Sequence, residues 1–375
     1  MKSWFGRFDA IGYRRTDPWL WLPATGLLLI GLLMVLNTTY FLALDKTGDG
    51  FHYFKLHLAH VAIGLAALLV LSQLSLRGLR RIAMPLAIVS ALMLLLVYVP
   101  GLGLMRGGAR RWLRLGPAIL EPSEFVKFAL VFFLADFLSR RLNRMREFAE
   151  GALPAMLLVA PIALLVLKQP DFGSTAMIAA LLFAMLYAAG AGLKPLLGAG
   201  AAAAALLAVE MIAKSYRMRR ISAFLDPWST ARGAGFQLIQ SYVALGGGGG
   251  WGVGLGASRQ KMFYLPQAHT DFIFAVVGEE LGIAGACLVM ALFCVILIRG
   301  MRIAHEEPDP FASLLAVGLT ALLSLQALIN IAVVIGMIPT KGLPLPFLSY
   351  GGTAIMVSMA ALGALLALGR RPAVR

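Results

Sequence analysis

The chain has 375 residues, of which 60% are hydrophobic and only 14% are charged, and its mean hydropathy is +0.83. A soluble globular domain carries roughly 25% charged residues, so this composition excludes a soluble enzyme. The net charge of +15 does not indicate nucleic acid binding, because in a membrane protein an excess of Lys and Arg first reports topology and contact with anionic lipids.

Ten apolar stretches are each long enough to cross a bilayer. Backbone groups have no water partners in hydrocarbon, so each stretch predicts a helix. In chain order the stretches cover residues 19–44, 56–76, 82–99, 122–138, 152–168, 173–190, 194–213, 271–298, 311–337 and 345–369. The predicted fold class is an all-α integral membrane protein, a bundle of about ten transmembrane helices with one long extracytoplasmic loop between helices 7 and 8.

The distribution of basic residues predicts the topology. An even number of spans puts both chain ends on one side of the membrane. With the long loop set aside, the segments on that side hold 17 Lys and Arg residues and the opposite segments hold 8, which favours cytoplasmic ends. We therefore expect a cytoplasmic tail at 1–18, a transmembrane domain at 19–369 with its extracytoplasmic loop at 214–270, and a cytoplasmic tail at 370–375.

Two segments on the expected outer face are unusually basic. Arg106 to Arg114 and Lys214 to Lys261 together hold eleven cations, which indicates either an anionic ligand or contact with anionic outer-leaflet headgroups. The glycine run Gly246 to Gly250 lies in the second segment. Because glycine disfavours helix, the run indicates a flexible linker or a backbone that another segment approaches closely.

Ionisable residues inside a span or at its edge are functional candidates, because a charge in hydrocarbon is costly. They are Glu121, Glu124, Lys127, Asp136, Asp171, Glu210, Asp271, Glu279, Glu280 and Lys341. Glu124 and Lys127 stand three apart and are expected to pair on a helix. Asp171 follows a proline and is expected to cap the next helix. Glu279 and Glu280 lie deeper in their span and are expected to be structural anchors.

Asp271 differs in its surroundings. It lies where the basic loop meets the hydrocarbon, with His269 two residues before it. Either it caps the helix that follows, or it is a general base whose pKa is raised by burial and lowered by neighbouring cations. No metal-binding motif is present, and Cys287 and Cys294 are too far apart along one helix to form a disulfide.

Several blocks of sequence together resemble one known family. The run from Arg259 to Gly282, RQKMFYLPQAHTDFIFAVVGEELG, is similar to the signature of the SEDS family, named for shape, elongation, division and sporulation. The other blocks agree in order and spacing, and the resemblance spans about residues 15–370. They are Arg111-Trp112, Pro122-Ser123-Glu124 with Lys127, Gln169 to Gly173, and Pro346 to Gly352.

The resemblance implies a peptidoglycan glycosyltransferase that polymerises lipid II at the outer face of the bacterial cytoplasmic membrane. Phe224 to Trp228, Ser258 to Lys261 and Pro339 to Gly342 are more similar to the division-type branch than to the elongation-type branch. The implied partners are a class B penicillin-binding protein, which is a transpeptidase, and other division proteins.

The resemblance also implies roles for individual residues. Asp271 would accept the proton of the acceptor sugar hydroxyl, and undecaprenyl pyrophosphate would leave. The expected substrate-binding residues are Arg111, Arg259, Lys261, His269, Lys341 and Ser349. A divalent cation could share the pyrophosphate, although nothing in the sequence defines a site for it. Two alternatives stay open at this point, a flippase for lipid II and a non-catalytic scaffold of the division complex.

Overall fold

The computed structural model describes residues 17–106, 109–116, 118–212 and 215–370, so most of the two expected tails lies outside the described residues. The described chain forms twelve α-helices and one three-stranded sheet. The helices are α1 Pro18–Thr47, α2 His52–Gln73, α3 Leu76–Leu96, α4 Pro122–Ser139, α5 Ala152–Lys168, α6 Phe172–Ala188, α7 Leu193–Ile212, α8 Ser215–Leu225, α9 Phe236–Gly248, α10 Ile273–Glu306, α11 Pro310–Val334 and α12 Gly352–Leu368.

Ten of these helices match the ten apolar stretches of the sequence. Helices α1, α2, α3, α10 and α11 are long and apolar enough to cross a membrane, and α5, α6, α7 and α12 are shorter apolar helices. Helix α4 has 18 residues and carries three charged side chains, Glu124, Lys127 and Asp136. The predicted all-α, multi-pass membrane fold is confirmed.

Helices α4, α11 and α12 form the centre of the bundle. Nearly every side chain of α12 is buried, whereas α2 and α3 expose leucine and isoleucine side chains on their outer faces. A glycine lets the central helix α12 approach the outer helix α2 closely. A Cβ atom on Gly363 of α12 would lie 2.5 Å from the carbonyl oxygen of Leu68 on α2.

A small antiparallel sheet between α3 and α4 was not expected from the sequence. Its strands are β1 Gly103–Arg106, β2 Ala109–Leu115 and β3 Ala118–Leu120, with β2 in the middle. The sheet marks one end of the bundle, here called the sheet end. The turns at 48–51 and 169–171 and the segments 226–235, 262–272 and 335–351 lie at the same end.

The last span is shorter than the sequence indicated. Residues 345–351 were expected to be helical, but α12 begins only at Gly352. Pro346 cannot donate a backbone hydrogen bond, and Phe347 has a φ of 65°, so this stretch turns instead of continuing the helix. The turn places a short, non-helical segment at the sheet end.

The long loop re-enters the bundle instead of remaining outside it. Helix α9 begins near Pro266, whose carbonyl accepts from Gln237 Nε2 at 3.1 Å, and the chain then descends alongside α10. At the tip, the carbonyls of Gly249 and Gly250 accept from the backbone N–H groups of residues 283 and 284 at 2.9 and 3.1 Å. These residues lie about 15 Å along α10 from its first residue. Residues 236–261 therefore form a re-entrant hairpin.

Glycine makes this close contact possible. Gly282 interrupts α10 with a φ of 68°, and a Cβ atom there would lie 2.3 Å from the backbone nitrogen of Gly252. The interruption leaves the carbonyls of Glu279 and Glu280 without partners inside α10. They accept hydrogen bonds from the backbone N–H groups of residues 253 and 254 in the hairpin. Non-helical backbone is tolerated at this depth only when its polar groups are satisfied within the protein, as they are here.

The side chains of Glu279 and Glu280 fix the returning strand of the hairpin. Glu280 accepts from the backbone N–H groups of Gly256 and Ser258 at 3.0 and 3.1 Å, and Glu279 accepts from that of Arg259 at 3.0 Å. Both carboxylates are buried. Glu279 and Glu280 thus make the kind of contacts that are expected of structural anchors.

Candidate functional site

Asp271 lies at the sheet end, two residues before α10 begins. Its backbone is held by Asn330 of α11, whose Nδ2 donates to the carbonyls of Asp271 and Leu343 at 2.8 and 2.7 Å. The carboxylate points toward Gly342, because a Cβ atom there would lie 3.2 Å from Asp271 Oδ2. Asp271 is partly buried and does not cap α10 with its side chain. The structure therefore excludes one of the two sequence interpretations, namely that the Asp271 side chain caps the following helix.

Ser349 and Tyr350 tie the segment 335–351 to the loop that carries Asp271. Ser349 Oγ donates to the carbonyl of Thr270 at 2.6 Å and accepts from the N–H of Leu345 at 2.8 Å. The N–H of Tyr350 donates to the carbonyl of His269 at 2.9 Å. Ser349 is buried in these contacts, so it holds the two segments together.

Three cationic side chains come from different parts of the chain to the partly exposed region around Asp271 and Gly342, here called the cleft. Arg220 on α8 donates from Nη1 to the carbonyl of Thr340 at 3.1 Å. Arg111 on β2 donates to the carbonyls of residues 169 and 170, the first contact measuring 3.1 Å from Nε. Lys341 lies with Nζ 5.0 Å from the ring centroid of Phe172, and its burial lowers its pKa. The site thus combines one carboxylate with three cations.

The pKa of Asp271 is raised to about 7. Burial is the largest cause, because it disfavours the charged form. The positive charges of Arg220 and Arg111 act in the opposite direction, and the negative charges of Asp171 and Glu124 add to the rise. Asp271 therefore titrates near neutral pH, where a general base is most effective.

Asp171, Glu124 and Lys127 are buried within the bundle, and Asp171 and Glu124 act electrostatically on Asp271. Asp171 caps α6 by accepting from the N–H of Ser174 at 3.1 Å, as the sequence predicted. The predicted ion pair between Glu124 and Lys127 is also confirmed, with 2.7 Å between Oε1 and Nζ, and Lys127 Nζ donates further to Gln326 at 2.8 Å. Both partners of the pair are buried.

His269 lies beside the cleft within a group of aromatic rings. Its ring centroid is 5.8 Å from that of Tyr350, which in turn lies 5.6 Å from the ring of His57. Burial, followed by the charge of Lys46, lowers the pKa of His269 to about 4. His269 is therefore a neutral imidazole at physiological pH.

The structure places two of the expected substrate cations elsewhere. Lys261 lies in the re-entrant hairpin, where its buried ammonium donates to Asn37 Oδ1, to the carbonyl of Gly256 at 2.6 Å and to Glu280 Oε1 at 3.1 Å. These three bonds use all three N–H groups of the ammonium. Arg259 is exposed on the same strand, and its backbone is held by Glu279.

Sequence reasoning missed two residues of the site. Arg220 was one of seven Lys and Arg residues in the long connection, and nothing in their spacing separated it from the others. Asn330 lies inside an apolar span and is 1% exposed. A buried amide in a span is a signal that could have been used, because such a group needs hydrogen-bond partners.

The described residues contain no group of three or more His, Cys, Asp or Glu side chains that could hold a metal ion. The charged groups of the cleft are instead arranged for an anionic ligand, since Arg111, Arg220 and Lys341 converge there. Such cations stabilise a diphosphate or another multiply charged group. The arrangement can remove a proton with Asp271 while its cations hold an anionic leaving group.

The fold and the site define a multi-pass membrane protein with an acid-base centre at one end of its helix bundle. Residues 18–372 match the FtsW/RodA/SpoVE family model, described as cell cycle protein. The chain belongs to this family, and the resemblance to the SEDS proteins is confirmed.

Similar proteins cover nearly the whole chain. A probable peptidoglycan glycosyltransferase FtsW of Geobacter metallireducens is 41% identical over 357 residues, covering 95% of each chain. The stage V sporulation protein E of Bacillus subtilis is 39% identical over 359 residues, covering 95% of this chain and 98% of that protein.

Solved structures show the same fold. A chain from a peptidoglycan synthase complex that coordinates polymerization and crosslinking has a TM-score of 0.77 and 28% identity, covering 95% of this chain and 98% of that one. The rod shape determining protein RodA of Thermus thermophilus has a TM-score of 0.70 and 26% identity, covering 96% and 98%.

Proposed function

We propose that this protein is a peptidoglycan glycosyltransferase that polymerises lipid II into β-1,4-linked glycan strands. The observation that carries the proposal is the partly buried Asp271, with a pKa raised to about 7, in a cleft with Arg111, Arg220 and Lys341. The relatives named peptidoglycan glycosyltransferase FtsW, at 39–42% identity, support the same activity.

In the proposed reaction, Asp271 accepts the proton of the acceptor sugar 4-hydroxyl as that oxygen attacks the anomeric carbon of the donor. The bond from this carbon to the diphosphate oxygen breaks with inversion, and its electron pair leaves with undecaprenyl pyrophosphate. Charge grows on the leaving group in the transition state, where Arg220, Arg111 and Lys341 stabilise it. Lys261 is not included, because its ammonium is fully bonded within the hairpin.

We propose that the sheet end faces the outside of the bacterial cytoplasmic membrane. The opposite end of the bundle is rich in arginine, which is typical of cytoplasmic segments. These arginines are Arg77, Arg80, Arg81, Arg140, Arg141, Arg144, Arg146, Arg299, Arg302 and Arg370. In this orientation the cleft lies on the side where lipid II presents its disaccharide and diphosphate.

We further propose that the protein acts in septal wall synthesis during cell division. The relatives named FtsW are 39–42% identical, whereas RodA of Thermus thermophilus is 26% identical. A class B penicillin-binding protein is the proposed partner. The similarity to a chain of a complex that couples polymerization to crosslinking supports such a pairing.

The contacts of the buried acids argue against a flippase. A transporter needs ionisable groups that can change partners during alternating access. Glu279 and Glu280 instead hold the hairpin, and Glu124 is paired with Lys127. Asp136 is bound by two arginines, Arg80 at 2.6 Å and Arg140 at 2.8 Å.

The test is polymerisation of lipid II by purified protein carrying Asp271→Asn, followed on gels that resolve glycan strands. We expect a loss of at least about 10²-fold, because the variant keeps the shape of the side chain and removes the base. Asp45→Asn is the matched control, since Asp45 is an exposed acid at the same end of the bundle. Its activity is expected to equal that of the unmodified protein.

Two further measurements complete this test. The folded protein disfavours ionised Asp271, so Asp271→Asn is expected to melt no lower than the unmodified protein at pH 8. In proteoliposomes, dye quenching of labelled lipid II is expected to show no translocation of headgroups. A folded Asp271→Asn variant with full polymerase activity would contradict the proposed enzymatic function of this site. An inactive Asp271→Asn variant that still supports division would favour the alternative of a non-catalytic scaffold.

A further inference from the structure

The loop that carries Asp271 is fixed through three consecutive backbone carbonyls. Those of residues 269 and 270 accept from the N–H of Tyr350 at 2.9 Å and from Ser349 Oγ at 2.6 Å. The carbonyl of Asp271 accepts from Asn330 Nδ2 at 2.8 Å. Of these three donors, only Asn330 belongs to a membrane-spanning helix, α11. This side chain therefore ties the loop directly to the bundle.

The same amide group also holds the segment that carries Lys341. Asn330 Nδ2 donates to the carbonyl of Leu343 at 2.7 Å, and the N–H of Leu343 donates to the carbonyl of Lys341 at 3.1 Å. A Cβ atom on Gly342, which lies between them, would be 3.2 Å from Asp271 Oδ2. One amide thus joins the backbone beside the carboxylate to the backbone beside a cation of the cleft.

The position of Asn330 is itself well defined. It lies in the last turns of α11 and is 1% exposed. One turn earlier, Gln326 Nε2 donates to the carbonyl of Pro344 at 3.0 Å, so α11 holds this segment at two successive carbonyls. A side chain whose orientation is locked by packing on a helix positions a site more precisely than a side chain on a loop.

The two ends of the Asn330 amide are used differently. Its nitrogen donates to two carbonyls, whereas its buried Oδ1 accepts from no residue that the structure describes. Burying an acceptor without a donor is unfavourable. A leucine of similar size would avoid this cost, but it would leave the carbonyls of Asp271 and Leu343 without their donor. The two donated hydrogen bonds are therefore the contribution that distinguishes asparagine here.

The place of the Asp271 carboxyl group also decides its protonation. Burial is the largest influence on its pKa and raises it, so movement of the loop toward water would lower the pKa. The surrounding charged groups come from several elements. They are Arg220 of α8, Arg111 of β2, Asp171 before α6, Glu124 of α4, and Lys341 next to Gly342.

We propose that Asn330 is a positioning residue that fixes the Asp271 carboxyl group in its buried place and in register with the segment of Lys341. The inference rests on the proposed glycosyltransferase function and deepens it. A base and the cations that stabilise a leaving group must be aligned closely for one displacement reaction. Asn330 does not touch the reacting atoms and acts through the backbone of the two segments.

The test compares Asn330→Leu with the unmodified protein in lipid II polymerisation assays between pH 5 and pH 9. We expect kcat at pH 8 to fall about 30-fold, because the base is no longer aligned. We also expect the midpoint of the acid limb to move down by at least about one pH unit, because the released carboxyl group is better hydrated. A loss of folding alone would leave that midpoint unchanged.

Two further substitutions at position 330 sharpen the test. Asn330→Gln keeps both N–H donors on a longer side chain, and we expect its kcat to recover to within about fivefold and its midpoint to return. Asn330→Ser carries a hydroxyl that can bond the carbonyl of residue 326 within α11, so it is expected to behave like Asn330→Leu. It provides the same comparison if Asn330→Leu does not fold.

Thr320→Val is the matched control. It replaces a buried hydroxyl of the same helix, one that has no hydrogen-bond partner among the described residues, by an apolar group of the same shape. We expect this variant to keep the kcat and the midpoint of the unmodified protein. Melting temperatures of all variants identify those that do not fold.

Two results would overturn the inference. One is a folded Asn330→Leu or Asn330→Ser variant that keeps the unmodified midpoint, whether or not its kcat falls. The other is a folded Asn330→Gln variant that is no more active than Asn330→Leu.

Asp271→Asn in the same assay distinguishes this inference from the proposed function. If Asp271→Asn polymerises lipid II normally, the proposed function fails regardless of how the variants at position 330 behave. If Asp271→Asn is inactive while Asn330→Leu keeps both its kcat and its midpoint, only the positioning role of Asn330 fails.

Discussion

At the scale of single residues, the raised pKa of Asp271 predicts how activity depends on pH. As the proposed base, Asp271 is useful only when ionised, and its ionised fraction increases as the pH rises through about 7. We expect the rate of polymerisation to fall about tenfold for each pH unit below 6.5. Initial rates between pH 5 and pH 8 check this, and a rate that stays constant down to pH 5 would show that Asp271 titrates as an ordinary carboxyl group.

Arg220 is predicted to be the most important cation of the cleft, because its charge has the largest opposing effect on Asp271. We expect Arg220→Gln to lower kcat/KM for lipid II by about 10²-fold through lost stabilisation of the leaving diphosphate. Arg219→Gln changes an exposed neighbour on the same helix and is the control. Equal losses for both variants would assign the effect to the general charge of α8.

Local spacing predicted some contacts of the site and missed others. The Glu124–Lys127 pair and the Asp171 cap lie within four residues along the chain, where helix geometry alone fixes the contact. Arg220 and Thr340 are 120 residues apart, and their hydrogen bond depends on how two distant segments pack. Sequence alone has no means of ranking such contacts.

At the scale of elements, the glycine run illustrates what composition can and cannot say. Five consecutive glycines indicated either a linker or a closely approached backbone, and the structure selects the second. Gly249 and Gly250 accept hydrogen bonds from α10, beside the interruption at Gly282. The partner of the run lies more than 30 residues further along the chain, so its close approach became visible only in the packed helices.

Gly282→Ala is predicted to destabilise the re-entrant hairpin. The alanine would need a φ near 68° and would place its Cβ 2.3 Å from the nitrogen of Gly252, so the two backbones must separate. We expect a loss of about 3 kcal/mol or more, seen as a lower melting temperature in detergent.

Gly247→Ala provides the matched control for this prediction. Gly247 lies in α9 with nothing within 4 Å of the added Cβ, so alanine there is expected to be neutral or to stabilise by up to about 1 kcal/mol. Equal melting temperatures for Gly282→Ala and the unmodified protein would contradict the tight contact at the hairpin tip.

At the scale of the whole molecule, hydropathy was sufficient for the ten spans but insufficient for the sheet end. Apolar length decides whether a segment crosses a membrane, so each span was predictable from local sequence. The three strands of the sheet have only 3 to 7 residues, and their pairing depends on turns and on the helices beneath them. The last span was overestimated for a related reason, because an apolar segment that packs inside the protein resembles one that crosses lipid.

The proposed orientation predicts which end of the bundle is accessible from outside the cell. In a background with Cys287→Ala and Cys294→Ala, we expect a membrane-impermeant maleimide to label Ser229→Cys in intact spheroplasts and Asn143→Cys only after lysis. Ser229 lies at the sheet end and Asn143 at the opposite end, and both are exposed. The reverse labelling pattern would place the cleft on the cytoplasmic side.

The re-entrant hairpin also sets an order of events during biosynthesis. Residues 249–254 take their hydrogen-bond partners from residues 279–284, which leave the ribosome later. Until α10 enters the membrane, burying the glycine backbone would leave its polar groups unsatisfied in hydrocarbon, which costs several kcal/mol for each group. We therefore expect the segment to wait at the membrane surface during translation, and the sheet end of the molecule is completed only after most of the chain has been inserted.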